Sequence, residues 1–142
     1  MATGSDVPSS LGANGIVISI DAMGSDRGPG AVVAGLVLSA GAWPDAHFIL
    51  HGDAAQLDPL LTRAPELAGR VTLRHSPRVV TMNDKPSQVM RHGEGTSMWS
   101  AIDSVKHGEA RAAVSCGNTG ALMAVSMIRL RKLPGVNRPA IV

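Results

Sequence analysis

Apolar and polar positions along this chain follow two alternating spacings. Ile16-Val17-Ile18-Ser19-Ile20 is rich in β-branched residues and bounded by Gly15 and Asp21, which predicts a first strand. Pro29 stands where a helix start tolerates its missing N–H. Ala31 to Ala40 then reads as a nearly all-apolar helix stopped at Gly41. A helix apolar all round is expected to be buried. Ala46 to Leu50 predicts a second strand. Asp53 with Gln56 forms a capping-box pattern on a helix, and Arg70 to Leu73 predicts a short third strand.

From His75 to Gly95 the pattern dissolves around Pro77, Pro86, Gly93 and Gly95, with room for one helical turn near Ser87 to Arg91. A connection of that length inside a domain is usually functional or disordered. Thr96 can cap the next helix, whose Met98, Ala101, Ile102 and Val105 fall on one face, and Gly108 ends it. Ala112 to Ser115 predicts a fourth strand. Gly117 to Lys132 follows as an apolar helix with Arg129, Arg131 and Lys132 in its last turn, where cations suit the helix dipole. Leu133-Pro134-Gly135 stops it, and Arg138 to Val142 opens another strand-like run.

Strands alternating with helices imply an α/β fold, a mainly parallel sheet with helices on both faces. The 142 residues suit one domain, and 44% apolar with 17% charged residues exclude a disordered chain or a coiled coil. Aromatics are 2%, which argues against base-stacking proteins, and a net charge of +2 gives no broad nucleic-acid footprint. No nucleic-acid partner is expected. A single cysteine leaves no internal disulfide and fits a reducing, cytoplasmic compartment. The most apolar stretch, Ala31 to Ala42, is too short to span a bilayer. Met1 to Gly15 lacks a basic start and an apolar middle, so it reads as a flexible tail rather than a signal peptide, leaving 16–142 as the domain. The Met and Trp residues read as core.

In open α/β sheets, ligands bind outside the carboxyl ends of the strands. Those ends lead here into Asp21-Ala22-Met23-Gly24-Ser25-Asp26, His51-Gly52-Asp53, His75-Ser76 and Ser115-Cys116-Gly117-Asn118-Thr119-Gly120. One polar edge built from these loops is expected. Gly117 to Gly120 lies between a strand and a helix, where free N–H groups suit phosphate or an oxyanion and Asn118 and Thr119 add side-chain bonds. A plain tight turn with an Asn or Thr cap accounts for the same residues. Asp21 and Asp26 suit a metal, an ion pair or simple capping, the last being favoured. Lys85 and Ser87 flank Pro86, with Arg91 and His92 just beyond, and fit either a phosphate site or an exposed basic loop. Gly24, Gly28 and Gly30 do not form a dinucleotide fingerprint, and no P-loop is present. Cys116 at a helix start reads as a buried filler rather than a nucleophile. The five histidines lack zinc-ligand spacing, so no metal and no cofactor are expected.

The motif Asp21-Ala22-Met23-Gly24-Ser25-Asp26 after the first strand resembles a signature of PlsX-type phosphate acyltransferases. Asp84-Lys85-Pro86, Thr96-Ser97-Met98, Val114 to Met123 and Arg138-Pro139-Ala140 match that family in the same order, from Ile16 to Val142. Two residues depart from it. Ser25 replaces a second glycine, so no glycine-only conformation is required there, and Cys116 stands where relatives often carry alanine. Members are more than twice this long, so the resemblance places the chain as their N-terminal part, inactive alone. It implies a three-layer α/β/α Rossmann-like sandwich related to phosphotransacetylase and incomplete in this chain. The implied reaction moves a fatty acyl group from acyl-acyl carrier protein to inorganic phosphate, and the acyl phosphate feeds phosphatidic acid and phospholipid synthesis. A homodimer with peripheral membrane contact is implied too.

That chemistry assigns Gly117, Asn118, Thr119 and Gly120 to the anion site and Lys85 to phosphate neutralisation. Ser87 and Ser97 would donate hydrogen bonds, while Asp21 and Asp26 would orient the first loop around Gly24. Lys85, Asn118 and Ser97 are the catalytic candidates. Two alternatives stand beside it. One is a phosphotransacetylase acting on acyl-coenzyme A, the other a non-catalytic module binding a phosphate ligand. If the sheet continues past Arg138-Pro139-Ala140, the last helix and strand are expected to leave an apolar surface uncovered.

Overall fold

The computed structural model describes residues 15–138. Its elements are β1 (Ile16–Asp21), α1 (Gly28–Ala42), β2 (Ala46–Gly52), α2 (Ala54–Thr62), β3 (Val71–His75), α3 (Pro86–His92), α4 (Ser97–Lys106), β4 (Ala112–Ser115) and α5 (Thr119–Arg129). One 3-10 turn, Pro65–Leu67, precedes β3. The four strands form a parallel sheet in the order β3-β2-β1-β4, an α/β Rossmann-like arrangement. The strand order reverses between β1 and β4, so the ends of these two strands mark the switch point where such sheets hold ligands. The flexible tail expected over Met1 to Gly15 lies, but for Gly15, outside the described residues. Arg138 lies in a bend, and the rest of the strand expected there is also outside them.

Alternation along the strands divides the core into two unlike halves. Ile20, Phe48 and Leu50 pack against Val33 and Leu36 of α1 and Leu57 of α2. The other face carries Val17 and Ile49 near one end, packed with Ala110 and Val105. Towards the carboxyl end that face becomes polar, and α4 covers β1, β2 and β4 there. Two crossovers, through α1 and α2, build one layer. The return from β3 to β4 carries α3 and α4 on the other, and α5, which follows β4, packs against both.

Several elements differ from the sequence reading. α1 starts at Gly28 and runs past Gly41. It is buried only along Val33, Leu36 and Ala40, whereas Leu38 is 77% exposed and Trp43 68% exposed. Its end is met by a distant residue. The Arg70 guanidinium donates to the carbonyls of Trp43 at 2.7 Å and Ala46 at 2.7 and 2.8 Å. α5 ends at Arg129, and Arg131 takes a positive φ of 66°, so only one of the three expected cations lies in the last turn. Arg129 pairs with Asp103 at 2.6 Å and sits 5.3 Å from the Trp99 ring centre. Val114, Met127, Ile128, Leu133 and Val136 are exposed apolar residues, and the strand expected after them lies outside the described residues but for Arg138.

The long connection after β3 is built rather than dissolved. Arg78 bridges to Thr96, and its guanidinium donates to the carbonyls of Glu94 and His92, both at 2.8 Å. Val80 and Val89 are buried against Met98, Ile102 and Val125. Thr96 joins the connection to α4. Its hydroxyl donates to the Gly93 carbonyl at 2.6 Å and accepts from the Trp99 N–H at 3.3 Å. Thr96→Ala should therefore lower stability by about 1–2 kcal/mol in denaturant unfolding, with Thr96→Ser near the parent value. A loss equal in both variants would assign the effect to the methyl group instead of the cap.

Candidate functional site

Asp21 ends β1 with 2% of its surface exposed. Its Oδ1 accepts from the Met23 N–H at 3.1 Å, which turns the following loop. Its Oδ2 accepts from the Ser115 hydroxyl at 2.7 Å. Ser97, the first residue of α4, places its wholly buried hydroxyl beside this carboxyl without a partner of good geometry. Burial pushes the Asp21 carboxyl above its usual range, while Ser97, Ser115 and the Met23 N–H pull it back.

The loops after β1 and β4 meet at two glycines. Gly24 has φ +79°, and a Cβ there would lie 2.7 Å from the Val80 carbonyl oxygen and 3.9 Å from Gly117 Cα. Gly117 donates its N–H to the Ser115 hydroxyl at 3.2 Å. Asn118 then caps α5, its Oδ1 accepting from the Ala121 N–H at 3.0 Å. The amide nitrogen of the same side chain donates to the carbonyls of Asp84 at 2.9 Å and Thr81 at 3.1 Å. Asn118 thereby clamps the connection that carries Lys85 to the start of α5. Pro86 completes the contact, lying 3.1 Å from where a Cβ on Gly120 would be.

The structure brings Asp21, Gly24, Ser97, Gly117, Asn118, Thr119 and Gly120 to one edge, with Lys85 and Ser87 carried alongside by the clamped connection. Lys85, Ser87 and Thr119 are exposed. Among the described residues nothing accepts from the N–H groups of Thr119 and Gly120, which open α5. Asp26 sits in the exposed turn before α1, with no hydrogen bond or ion pair among the described residues, so Asp21 alone visibly orients the loop.

Other expected edge residues are placed differently. β2 runs on to Gly52, and His51 is fully buried under α4 rather than in a loop. Its Nδ1 pairs with the Ser100 hydroxyl at 2.8 Å and its Nε2 with that of Ser104 at 3.1 Å. Arg74 donates to Ser104 at 3.2 Å and pairs with Glu109. Burial first, then the Arg74 charge, push the His51 imidazole down to about 4, against the opposing pull of Glu109. Cys116 is exposed, not a buried filler. Trp43, Met82 and Met127 are exposed as well, so they are not core.

Sequence reasoning set Ser115 and His51 at the polar edge but gave neither a role. Arg74, His51, Asp21 and Ser115 are register partners on four adjacent strands, so one polar row crosses the sheet beneath the serines of α4. The available signal was polar residues on one face of the strands, Ser19 and Asp21 in β1, His47 and His51 on either side of Ile49 in β2, Thr72 and Arg74 in β3. A hollow of about 730 Å³ lies on the opposite face between α1 and the sheet. Its walls are apolar, and it reaches the polar edge at Asp21 and Cys116.

The chain is similar in sequence to known proteins over nearly all its length. A family described as fatty acid synthesis protein matches residues 16–142. A phosphate acyltransferase of Cereibacter sphaeroides is 72% identical over 134 residues, covering 94% of this chain and 36% of the relative. The phosphate acyltransferase of Paracoccus denitrificans is 66% identical, covering 90% and 35%, and that of a Ruegeria species is 63% identical, covering 98% and 37%. The chain thus spans about a third of the length of the curated relatives it matches.

Proposed function

This chain belongs to the fatty acid synthesis protein family, and we propose that the complete gene product moves a fatty acyl group from acyl-acyl carrier protein to inorganic phosphate. The acyl phosphate would feed phospholipid synthesis. The observation that carries this reading is the start of α5, where two N–H groups without partners among the described residues lie beside the connection that Asn118 holds with Lys85. Helix-start N–H groups and a nearby cation suit a phosphate dianion.

The chemistry asks for little more than positioning. A phosphate oxygen attacks the thioester carbonyl carbon, a carbon–oxygen bond forms and the carbon–sulfur bond breaks. The proton of hydrogen phosphate ends on the departing thiolate. Phosphate is already nucleophilic and a thiolate leaves readily, so holding the two in near-attack geometry supplies much of the rate. In this reading Thr119 and Gly120 bind phosphate through their N–H groups, and Lys85 offsets its charge. Ser87 adds a hydroxyl donor, and Ser97, buried beside Asp21, acts on that carboxyl. Asp21 and Gly24 shape the first loop, with Asp26 at its outer turn. Asn118 acts by fixing the turn, since its amide is occupied by the bonds described. The same reading takes the protein as a cytoplasmic homodimer that touches the membrane surface.

The test follows free thiol released by the complete gene product from a long-chain acyl-acyl carrier protein, with and without phosphate. Phosphate-dependent release with acyl phosphate formed is the expected result. Release from acyl-coenzyme A alone would transfer the reading to a phosphotransacetylase. Phosphate binding without turnover of either thioester would favour a binding module. Asn118→Ala should lower phosphate-dependent release by about 10-fold or more and cost roughly 1–3 kcal/mol of stability, because cap and clamp are lost together. Unchanged turnover at limiting phosphate would remove Asn118 from the site.

A further inference from the structure

The turn from β4 into α5 is held at both ends, yet only Asn118, at its α5 end, has a part in the chemistry above. At the other end stands Ser115, half-buried at the last position of β4. Its hydroxyl donates to Asp21 Oδ2 at 2.7 Å and accepts from the Gly117 N–H at 3.2 Å. A carboxylate can only accept and a backbone N–H can only donate, so the hydroxyl's proton points one way while Asp21 is charged. One of its two lone pairs then faces Gly117. That bond draws the first N–H of the turn inward. Gly117 needs such a restraint, because a residue without Cβ has many alternative backbone conformations open to it. The hydroxyl's bond to Asp21 spans the switch point, joining the ends of β1 and β4 across 94 residues of sequence.

We propose that Ser115, oriented by Asp21, is a positioning residue that fixes the Gly117–Gly120 turn in its phosphate-binding geometry. The inference rests on the phosphate site proposed above, and it adds a residue that touches neither phosphate nor thioester. Asp21 then acts on the turn through Ser115 and not only through its own loop. The other charged members of the row, Arg74 with Glu109, lie beyond His51, and α4 presents Ser97 to the carboxyl, so Ser115 is the described side chain that links Asp21 to the turn.

The experiment uses the complete gene product with Ser115→Ala and Ser115→Thr. Inorganic phosphate binding is measured by calorimetry, and the KM values for phosphate and thioester are measured separately. Ser115→Ala should weaken phosphate binding and raise its KM about 10-fold, the loss of one charge-assisted hydrogen bond, with the thioester KM within about 2-fold. Ser115→Thr keeps the hydroxyl on a side chain suited to a strand and should recover to within about 3-fold of the parent. In the double variant with Asp21→Asn, the phosphate defect should be no larger than in the worse single variant, because both act through one path.

Parent-like phosphate binding by Ser115→Ala would overturn the proposal. So would an equal rise in both KM values, a threonine variant no better than alanine, or additive defects in the double variant. If the parent protein turns over no thioester while its phosphate binding still depends on Ser115, the acyltransferase reading fails and the assignment of Ser115 stands.

Discussion

Replacing Gly24 by alanine is expected to destabilise the protein by about 2–5 kcal/mol, of which roughly 1–2 comes from forcing a side chain into a left-handed conformation and about 1–3 from displacing a packed neighbour. The neighbour is the Val80 carbonyl oxygen, 2.7 Å from the position the new Cβ would take. Backbone cannot swing aside as a long side chain can. The added carbon must move either the first loop or the buried connection that Val80 anchors. Both movements disturb Gly117, which packs against the same loop, so phosphate-dependent activity should fall along with stability. Gly28→Ala supplies the comparison. Its φ is +73° and nothing lies within 4 Å of a Cβ there. It should lose only the conformational part, about 1–2 kcal/mol. Urea unfolding of the two variants separates the causes, and equal losses would mean that the Val80 contact yields without cost.

Acidification should weaken the fold well above the range where carboxylates titrate. His51 is held at about 4 when folded, against an ordinary value of 6.5. Between these values the unfolded chain binds a proton that the folded chain excludes. Stability therefore rises with pH across this window and is lost as pH falls through it, by roughly 3 kcal/mol at full extent. His47, lowered by burial and then by Arg70, contributes with the same sign. Glu109, lowered chiefly by its bond to Arg74, adds a further loss below its ordinary 4.5. Asp21 works in the opposite sense, since its raised carboxyl takes up a proton more readily when folded and offsets part of the loss. The urea midpoint should drop between pH 7 and pH 4.5, and His51→Gln should flatten the slope. Should that variant fail to fold, the His51 ring resonances of the parent protein should still report a neutral imidazole near pH 5. A protonated His51 in the folded state at that pH would refute the account.

Strands β1 and β2 were legible because β-branched and apolar residues crowd into short runs between glycine, aspartate and proline, a local signal that needs no partner. α1 was misjudged for the converse reason. Ala31 to Ala40 offers apolar residues on every side, and composition alone cannot say that the sheet covers only Val33, Leu36 and Ala40. α3 has 7 residues, too few for periodicity to register, and Pro86 resembled a breaker although it occupies the first turn of that helix. The candidate site divides in the same way. Asp21, Gly24 and the Gly117–Gly120 turn were visible from their place after strands. The clamp by Asn118 and the bridge by Ser115 were not, because their partners lie 34 to 37 and 94 residues away in sequence. His51 ends a strand-like run, and only the tertiary fold shows that α4 carries two serines to its ring nitrogens.

The polar row beneath α4 bears on how variation in this protein should be interpreted. Arg74 and His51 share Ser104, and Asp21 and Gly117 share Ser115, so a change at one member alters what its neighbour must satisfy. Single substitutions there will overstate the worth of each residue, because each strands a buried partner. Paired changes that remove both partners should cost less than their sum. Natural sequences are then expected to exchange these positions in concert, and a residue tolerated in one background will be damaging in another.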